Sequence, residues 1–427
     1  MPAPDTTRQH HHAARETLLS CCLLSFLLLL SSAVSSRAAG YEKPVILQAA
    51  SILQPKLLKG KYHKVDPRVK NDGLFNHYTV TSTFGNFQAG STWDLEILIR
   101  EIEAIAAMKK VETDDTALAG LKQSGQNTVT GLKNLFNDPQ ATLEGAASGV
   151  SSLFTRAKET IGRREVGDAE DSSFEQFVGI SKSKGMIATK YGVNVYSRNK
   201  VLQEELNRLG RADYAGGLGV GLASSFVPGV GGLVLTTSGT ARLLNEAINT
   251  TPASELWLQN KKKLLAMGLD EDIVELFLNN PSFSPATATV LVTALESMNG
   301  VNDRGLFIKV ALQSSDPAMA RLITRMAVMS AGYHKHIAPL KQFMPMARLT
   351  LGVRKDGTRV VLLPADYIIW NRLVAEAEAA VRDQAKENGL ELWTLGSLSR
   401  QATAELQKNG WQIHSKAGSR LISAQKK

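Results

Sequence analysis

LTLGVRKDGTRVVLL, residues 349–363, decides the fold class of this chain. Two apolar runs, 349–355 and 358–363, flank Asp356-Gly357, a dipeptide suited to a tight hairpin turn, so the pattern predicts two antiparallel strands. More sheet is expected beyond them. A helix is predicted over about 366–388, with Asp366 as its cap and Gly389 as its stop. Leu390-Glu-Leu-Trp-Thr394 reads as a strand, residues 399–408 as a helix ended by Asn409-Gly410, and Trp411-Gln-Ile-His414 as a further strand. Strand, helix, strand implies a right-handed parallel crossover, so residues 341–427 are expected to form an α/β module. Gly396-Ser397 could hold an anion at a helix N-terminus, but ordinary capping accounts for these residues better.

Upstream, the punctuation is helical. From about 252 to 330, four or five short helices are opened by Asp270, Ser284-Pro285, Asn302-Asp303 and Ser315-Asp316-Pro317. No repeat period holds for three units, so 243–340 is predicted to be an irregular bundle. Tyr333-His-Lys-His336 carries two histidines at i and i+2, a spacing that shares a face on a strand only. No nearby carboxylate completes a metal set, which leaves a basic surface loop as the expectation.

Residues 39–90 have β character, since Tyr78, Val80 and Phe84 alternate with Thr79, Thr81 and Thr83. Region 91–212 is expected to be helical and amphipathic. It opens with Ser91 capping toward Asp94, and its stripe of Leu95, Leu98, Ile99, Ile102 and Ile105 should pack on the sheet. Helix is predicted over 115–163, restarted at Asp138-Pro139. Within it, Gly131-Leu-x-x-Leu135-Phe136 recurs as Gly149-Val-x-x-Leu153-Phe154. An unbroken helix would put both clusters on one face, facing either a membrane, with Lys122, Lys133, Arg156 and Lys158 near headgroups, or the protein's own core. Next come an acidic linker at 168–171, a short strand at 193–196, and a helix capped by Ser197 or Asn199.

The least ordinary stretch is 213–242. No charged residue lies between Asp213 and Arg242, in a chain that is 21% charged. A phosphate-binding loop is disfavoured, because Gly217-x-Gly219-x-Gly221 follows a helical pattern with no Lys-Ser/Thr beside it. A membrane element would use Gly217 and Gly221 for close helix approach, with Pro228-Gly229 dividing two apolar halves too short to span singly. A buried hairpin of small residues in a soluble core is the competing arrangement. Gly217, Val220, Gly221, Phe226, Pro228, Gly229 and Leu233, together with Leu135, Phe136, Leu153 and Phe154, are the expected membrane or partner contacts.

Residues 1–38 read as a secretory signal, with an uncleaved membrane anchor as the alternative: Arg8 and Arg15 precede a charge-free apolar run, which ends in small residues around Ala38. Cys21 and Cys22 fall inside it, so the exported chain would lack disulfides and cysteine chemistry. Removing it leaves 46 Lys and Arg against 38 Asp and Glu, a surplus of about 8, which suits anionic headgroups or a polyanion and equally suits solubility alone. No basic run dense enough for nucleic acid is present. No nucleophile elbow, zincin motif or carboxylate-rich metal motif occurs, and no cofactor is indicated.

The expectation is therefore an α+β, predominantly helical protein of the cell envelope or periplasm. It would be non-enzymatic and would associate with membrane lipid or an envelope protein through 214–241, with oligomerisation open. A soluble exported enzyme with a dispersed site and a membrane-active effector are the alternatives.

Overall fold

The computed structural model describes residues 40–111, 168–215, 239–346, 349–385 and 388–422. Its fold is α+β, with an N-terminal sheet, helices through the middle, and a C-terminal sheet with its own helices.

The N-terminal region contains β1 (Ile46–Gln48), α1 (Ala49–Ile52), α2 (Pro55–Leu58), β2 (His63–Val65), β3 (Arg68–Asn71), β4 (Asn76–Ser82) and β5 (Gly85–Ala89). All its pairings are antiparallel: β1 with β3, β3 and β2 with one edge of β4, and β5 with the other edge. Along β4, inward and outward residues alternate, as the threonines predicted. The inward set, Val65, Val69, Tyr78 and Val80, packs on Leu95, Leu98, Ile99 and Ile102 of α3 (Thr92–Met108). Ser91 caps α3 by accepting from the Asp94 N–H at 3.1 Å.

Three helices follow: α4 (Asp168–Lys190), α5 (Lys200–Tyr214) and α6 (Gly239–Thr250). Asn199 is the cap of α5, accepting from the Leu202 N–H. Two expectations fail here. Residues 168–171 belong to α4 and are not a linker; the buried residues of α4 include Ser183 and Gly185 beside Ile187 and Ala188, so its inner face has little apolar contrast to read. Residues 193–196 form no strand. The Asn249 side chain supplies their partners, donating to the Val193 carbonyl at 2.9 Å and accepting from Val195 N–H at 3.0 Å, so no neighbouring strand is needed.

The bundle comprises α7 (Ala253–Ala266), α8 (Glu271–Leu278), α9 (Pro285–Ser297), α10 (Leu306–Ala311) and α11 (Pro317–His336). Ser284 and Asp316 cap as expected. His334 and His336 lie in the last turn of α11 and not in a loop. Lys335 in the same turn complements the helix C-terminus, while His334 Nδ1 accepts from the Leu340 N–H at 3.0 Å.

The C-terminal sheet has the order β12-β10-β8-β7-β6, built from β6 (Leu340–Met346), β7 (Leu349–Arg354), β8 (Arg359–Leu363), β10 (Leu390–Thr394) and β12 (Trp411–His414). The hairpin β7–β8 forms on Asp356-Gly357, with Gly357 at φ +87°, a value that favours glycine. β8, β10 and β12 are parallel, and α12 (Arg372–Ala385) and α13 (Arg400–Lys408) connect them. The helix predicted from 366 begins only at Arg372: residues 367–368 form β9 (Tyr367–Ile368), paired in parallel with β11 (Ser397–Leu398). A final turn, α14 (Gly418–Leu421), packs against α11.

One face of this sheet, through Val361, Leu390 and Leu392, packs on Val381 and Ala385 of α12 and Ala402 and Leu406 of α13. The other face, through Phe343, Val360, Leu362 and Trp393, packs on Phe307, Met326 and Tyr333 of the bundle. Bundle, sheet and paired helices are thus three layers with continuous packing, so the described residues of 243–340 and 341–427 share a core.

Candidate functional site

All eleven residues expected to contact membrane or a partner (Gly217, Val220, Gly221, Phe226, Pro228, Gly229, Leu233, Leu135, Phe136, Leu153 and Phe154) lie outside the described residues. What is described is the ground on which the 216–238 segment is mounted. Its two flanking helices, α5 and α6, both pack on α4, and two close approaches set the spacing. Any side chain at Gly179 would collide with the Tyr214 ring, and any at Gly185 with the Asn249 carbonyl, 2.0 Å from where a Cβ would sit. Lys184 is half-buried between these contacts; burial, with Arg211 adding repulsion, pushes its amine down to about 8.

Chemistry-bearing side chains gather elsewhere, at the seam where the N-terminal sheet meets the rest of the molecule. Asp366 accepts from the Asn76 N–H at 3.0 Å and from the Thr92 N–H at 3.0 and 3.1 Å. It does cap a helix, but that helix is α3, 274 residues away in sequence, and not the one that follows it. Burial pushes its carboxyl upward, against the stabilising pull of those amides. Beside it, Arg325 of α11 donates to Asp94 Oδ1 at 2.6 Å and to Ser91 Oγ at 3.1 Å, and stacks over Trp93 at 4.8 Å. Arg321 Nε approaches Asp94 at 3.2 Å. Burial raises the Asp94 carboxyl, but Arg325 and Arg321 outweigh it and hold the group below its ordinary value. Glu42 completes the seam, accepting from Trp370 N–H at 2.6 Å and Ser399 Oγ at 2.5 Å.

A second cluster lies between bundle and sheet. Glu391 Oε2 accepts from Tyr333 Oη and Trp393 Nε1, each at 2.8 Å, and Oε1 accepts from Arg354 at 2.8 Å. The Trp393 ring stacks on His414 at 4.0 Å, and the Arg420 guanidinium lies over the Trp393 ring at 4.4 Å. Burial, then the bond to Glu391, pushes the Tyr333 hydroxyl far above its usual range, so it acts as a donor only.

In both clusters the carboxylate oxygens are engaged by donors from distant parts of the chain. That is the chemistry of a tie, not of a base waiting for a substrate proton. An open groove of about 550 Å³ lies between the ends of α7 and α9, lined by Lys262, Lys263, Glu296, Asn299 and Arg304. Its cations are largely engaged: Lys263 pairs with Glu296 at 2.7 Å, and Arg304 donates to the Leu295 carbonyl at the end of α9. Among the described residues no group of three His, Cys, Asp or Glu could hold a metal ion, and no helix is long and apolar enough to cross a membrane.

Reading the sequence alone missed Asp94, Arg325 and Glu391 as tie points. Only Asp94 left a signal, as a residue near the start of a helix; the others depend on pairings across 231 and 58 residues. Comparison with protein-family models, with curated proteins and with solved structures finds no match.

Proposed function

We propose that this chain is an exported cell-envelope protein without catalytic activity of its own, which associates with membrane lipid or an envelope protein through the charge-free segment 214–241. The observation that carries the proposal is the mounting of that segment: α5 and α6, on either side of it, are both held on α4. One helix thereby holds both flanks of a stretch that excludes charge in an otherwise charged chain. The segment's glycines disfavour an isolated helix by about 1 kcal/mol each relative to alanine, so an apolar environment has to supply its stability.

The test is fractionation of expressing cells into periplasm, membrane and medium, followed by a high-salt and then an alkaline wash of the membranes. The expected result is a membrane-bound protein that resists both washes, and that Val220→Asp or Leu233→Asp moves to the soluble fraction. A wild-type protein recovered wholly soluble, with a signal segment still attached, would overturn both export and attachment.

A further inference from the structure

The N-terminal sheet has one face against α3 and the other uncovered by any described residue. The uncovered face carries Lys64 of β2, Arg68 and Lys70 of β3, and His77, Thr79 and Thr81 of β4. We infer that this face is an electrostatic docking surface for the anionic headgroup plane of a membrane. The inference rests on the membrane reading above and names the lipid chemistry that reading would meet.

Charge asymmetry is the first support. Between residues 43 and 70 the chain carries Lys43, Lys56, Lys59, Lys61, Lys64, Arg68 and Lys70 against the single acid Asp66, and all seven cations are exposed. Among the described residues no ion pair is formed by Lys43, Lys59, Lys61, Lys64, Arg68 or Lys70. Repulsion is built in as well: Lys59 and Lys64 sit opposite each other in an antiparallel bridge, and like charges so placed are unfavourable without an anion between them. Lys61 and Lys110 both lie near the Tyr62 ring, at 5.3 and 6.0 Å.

The shape of the patch selects the partner. Alternate residues on a strand are about 7 Å apart and neighbouring strands about 4.8 Å apart, so Lys64, Arg68 and Lys70 lie in a plane and not in a pocket. Six of the seven are lysines, hydrated point charges suited to a diffuse anionic field more than to bidentate grip on one phosphate. One apolar side chain stands among them. Ile46, 51% exposed, is the cross-strand neighbour of Lys70, while Tyr41 and Ile52 are 36% and 37% exposed nearby in sequence. Apolar tips within a basic face are what a headgroup layer accommodates and water does not favour.

The experiment is flotation of the full chain with phosphatidylglycerol-rich vesicles and with phosphatidylcholine vesicles. Four proteins are compared: wild type, Lys64→Gln/Arg68→Gln/Lys70→Gln, Val220→Asp, and the combination. Each cation near an anionic surface is worth about 1 kcal/mol, or about fivefold, so the triple substitution should lower binding to anionic vesicles about 100-fold and erase the preference over phosphatidylcholine. Val220→Asp should retain that preference, which separates failure of this inference from failure of the 214–241 attachment. In the Val220→Asp protein, raising salt from ~0.01 M, with a Debye length of ~30 Å, to ~1 M, with ~3 Å, should release the vesicles. Unchanged anionic preference in a triple variant that melts like wild type would overturn the inference. So would capture by a soluble polyanion with no anionic preference in vesicle binding.

Discussion

The two sheets of this protein meet their surroundings in opposite ways. In the C-terminal sheet, β10 is buried along its whole length, pressed between the bundle on one side and α12 and α13 on the other. In the N-terminal sheet, β4 is buried only at every second residue. The consequence for charge is direct. Glu391, on the covered sheet, must have its carboxylate satisfied internally, and Tyr333, Trp393 and Arg354 do so. Lys64, Arg68 and Lys70, on the open sheet, reach outward and are engaged by nothing in the described residues. A polar residue in a covered layer becomes a fastener; in an open layer it becomes a contact.

The hardest blow to that contrast would come at the covered sheet. Glu391→Ala should cost about 3–5 kcal/mol, because it strands the indole N–H of Trp393, the Tyr333 hydroxyl and one Arg354 contact. Chemical denaturation measures this, and a loss under about 1 kcal/mol would mean the cluster is not a tie.

The seam should give the next effect. Asp94→Ala is expected to cost about 2–3 kcal/mol by removing charge-assisted bonds from Arg325. Because the folded Asp94 carboxyl lies below its ordinary value, its contribution is complete above about pH 4 and declines as pH falls through its folded value. The acid limb of the stability profile should therefore shrink in Asp94→Ala, as read from melting temperature against pH.

Glu101 of α3 should behave in the reverse sense. It is fully buried and accepts from Ser197 Oγ at 2.5 Å and Asn199 Nδ2 at 3.1 Å, and burial pushes its carboxyl up despite those bonds. Its favourable contribution is complete below about pH 4.3 and is lost as pH rises through the raised value. Glu101→Gln should thus change stability by about 1 kcal/mol or less at pH 7, with the melting-temperature difference moving in favour of the variant as pH increases from 4.

Smallest of all should be the stability cost at the open sheet. Lys64→Gln, Arg68→Gln and Lys70→Gln are each expected within about 0.5 kcal/mol of wild type by thermal melting, since they break no described contact. A larger loss would mean that the face is covered in the native protein, and the contrast between the two sheets would dissolve.

Much of the architecture is legible in the sequence. The Asp356-Gly357 hairpin, the Ser91 and Asp316 caps, the strands at β10 and β12 and the helix between them all depend on residues within a few positions of one another. Legibility stopped where a partner lay far along the chain. Residues 193–196 have strand composition, yet Asn249 takes the bonds a strand would have offered. Asp366 looked like a local cap, and its proton acceptors serve Asn76 and Thr92 instead. The seven-to-one charge imbalance over 43–70 was present in the letters, but the place of Lys64, Arg68 and Lys70 on one face required the register of β1, β2, β3 and β4.

By itself, the sequence determined the locally capped helices, the hairpin, the fold class and the position of the charge-free segment, because turn dihedrals, caps and periodicity act over one or two turns of chain. Tertiary structure alone decided which sheet is enclosed and which has a face left uncovered by the described residues, and so whether a given charge fastens the core or faces outward. Burial and long-range hydrogen bonds set that outcome, and neither exists until segments hundreds of residues apart have come together.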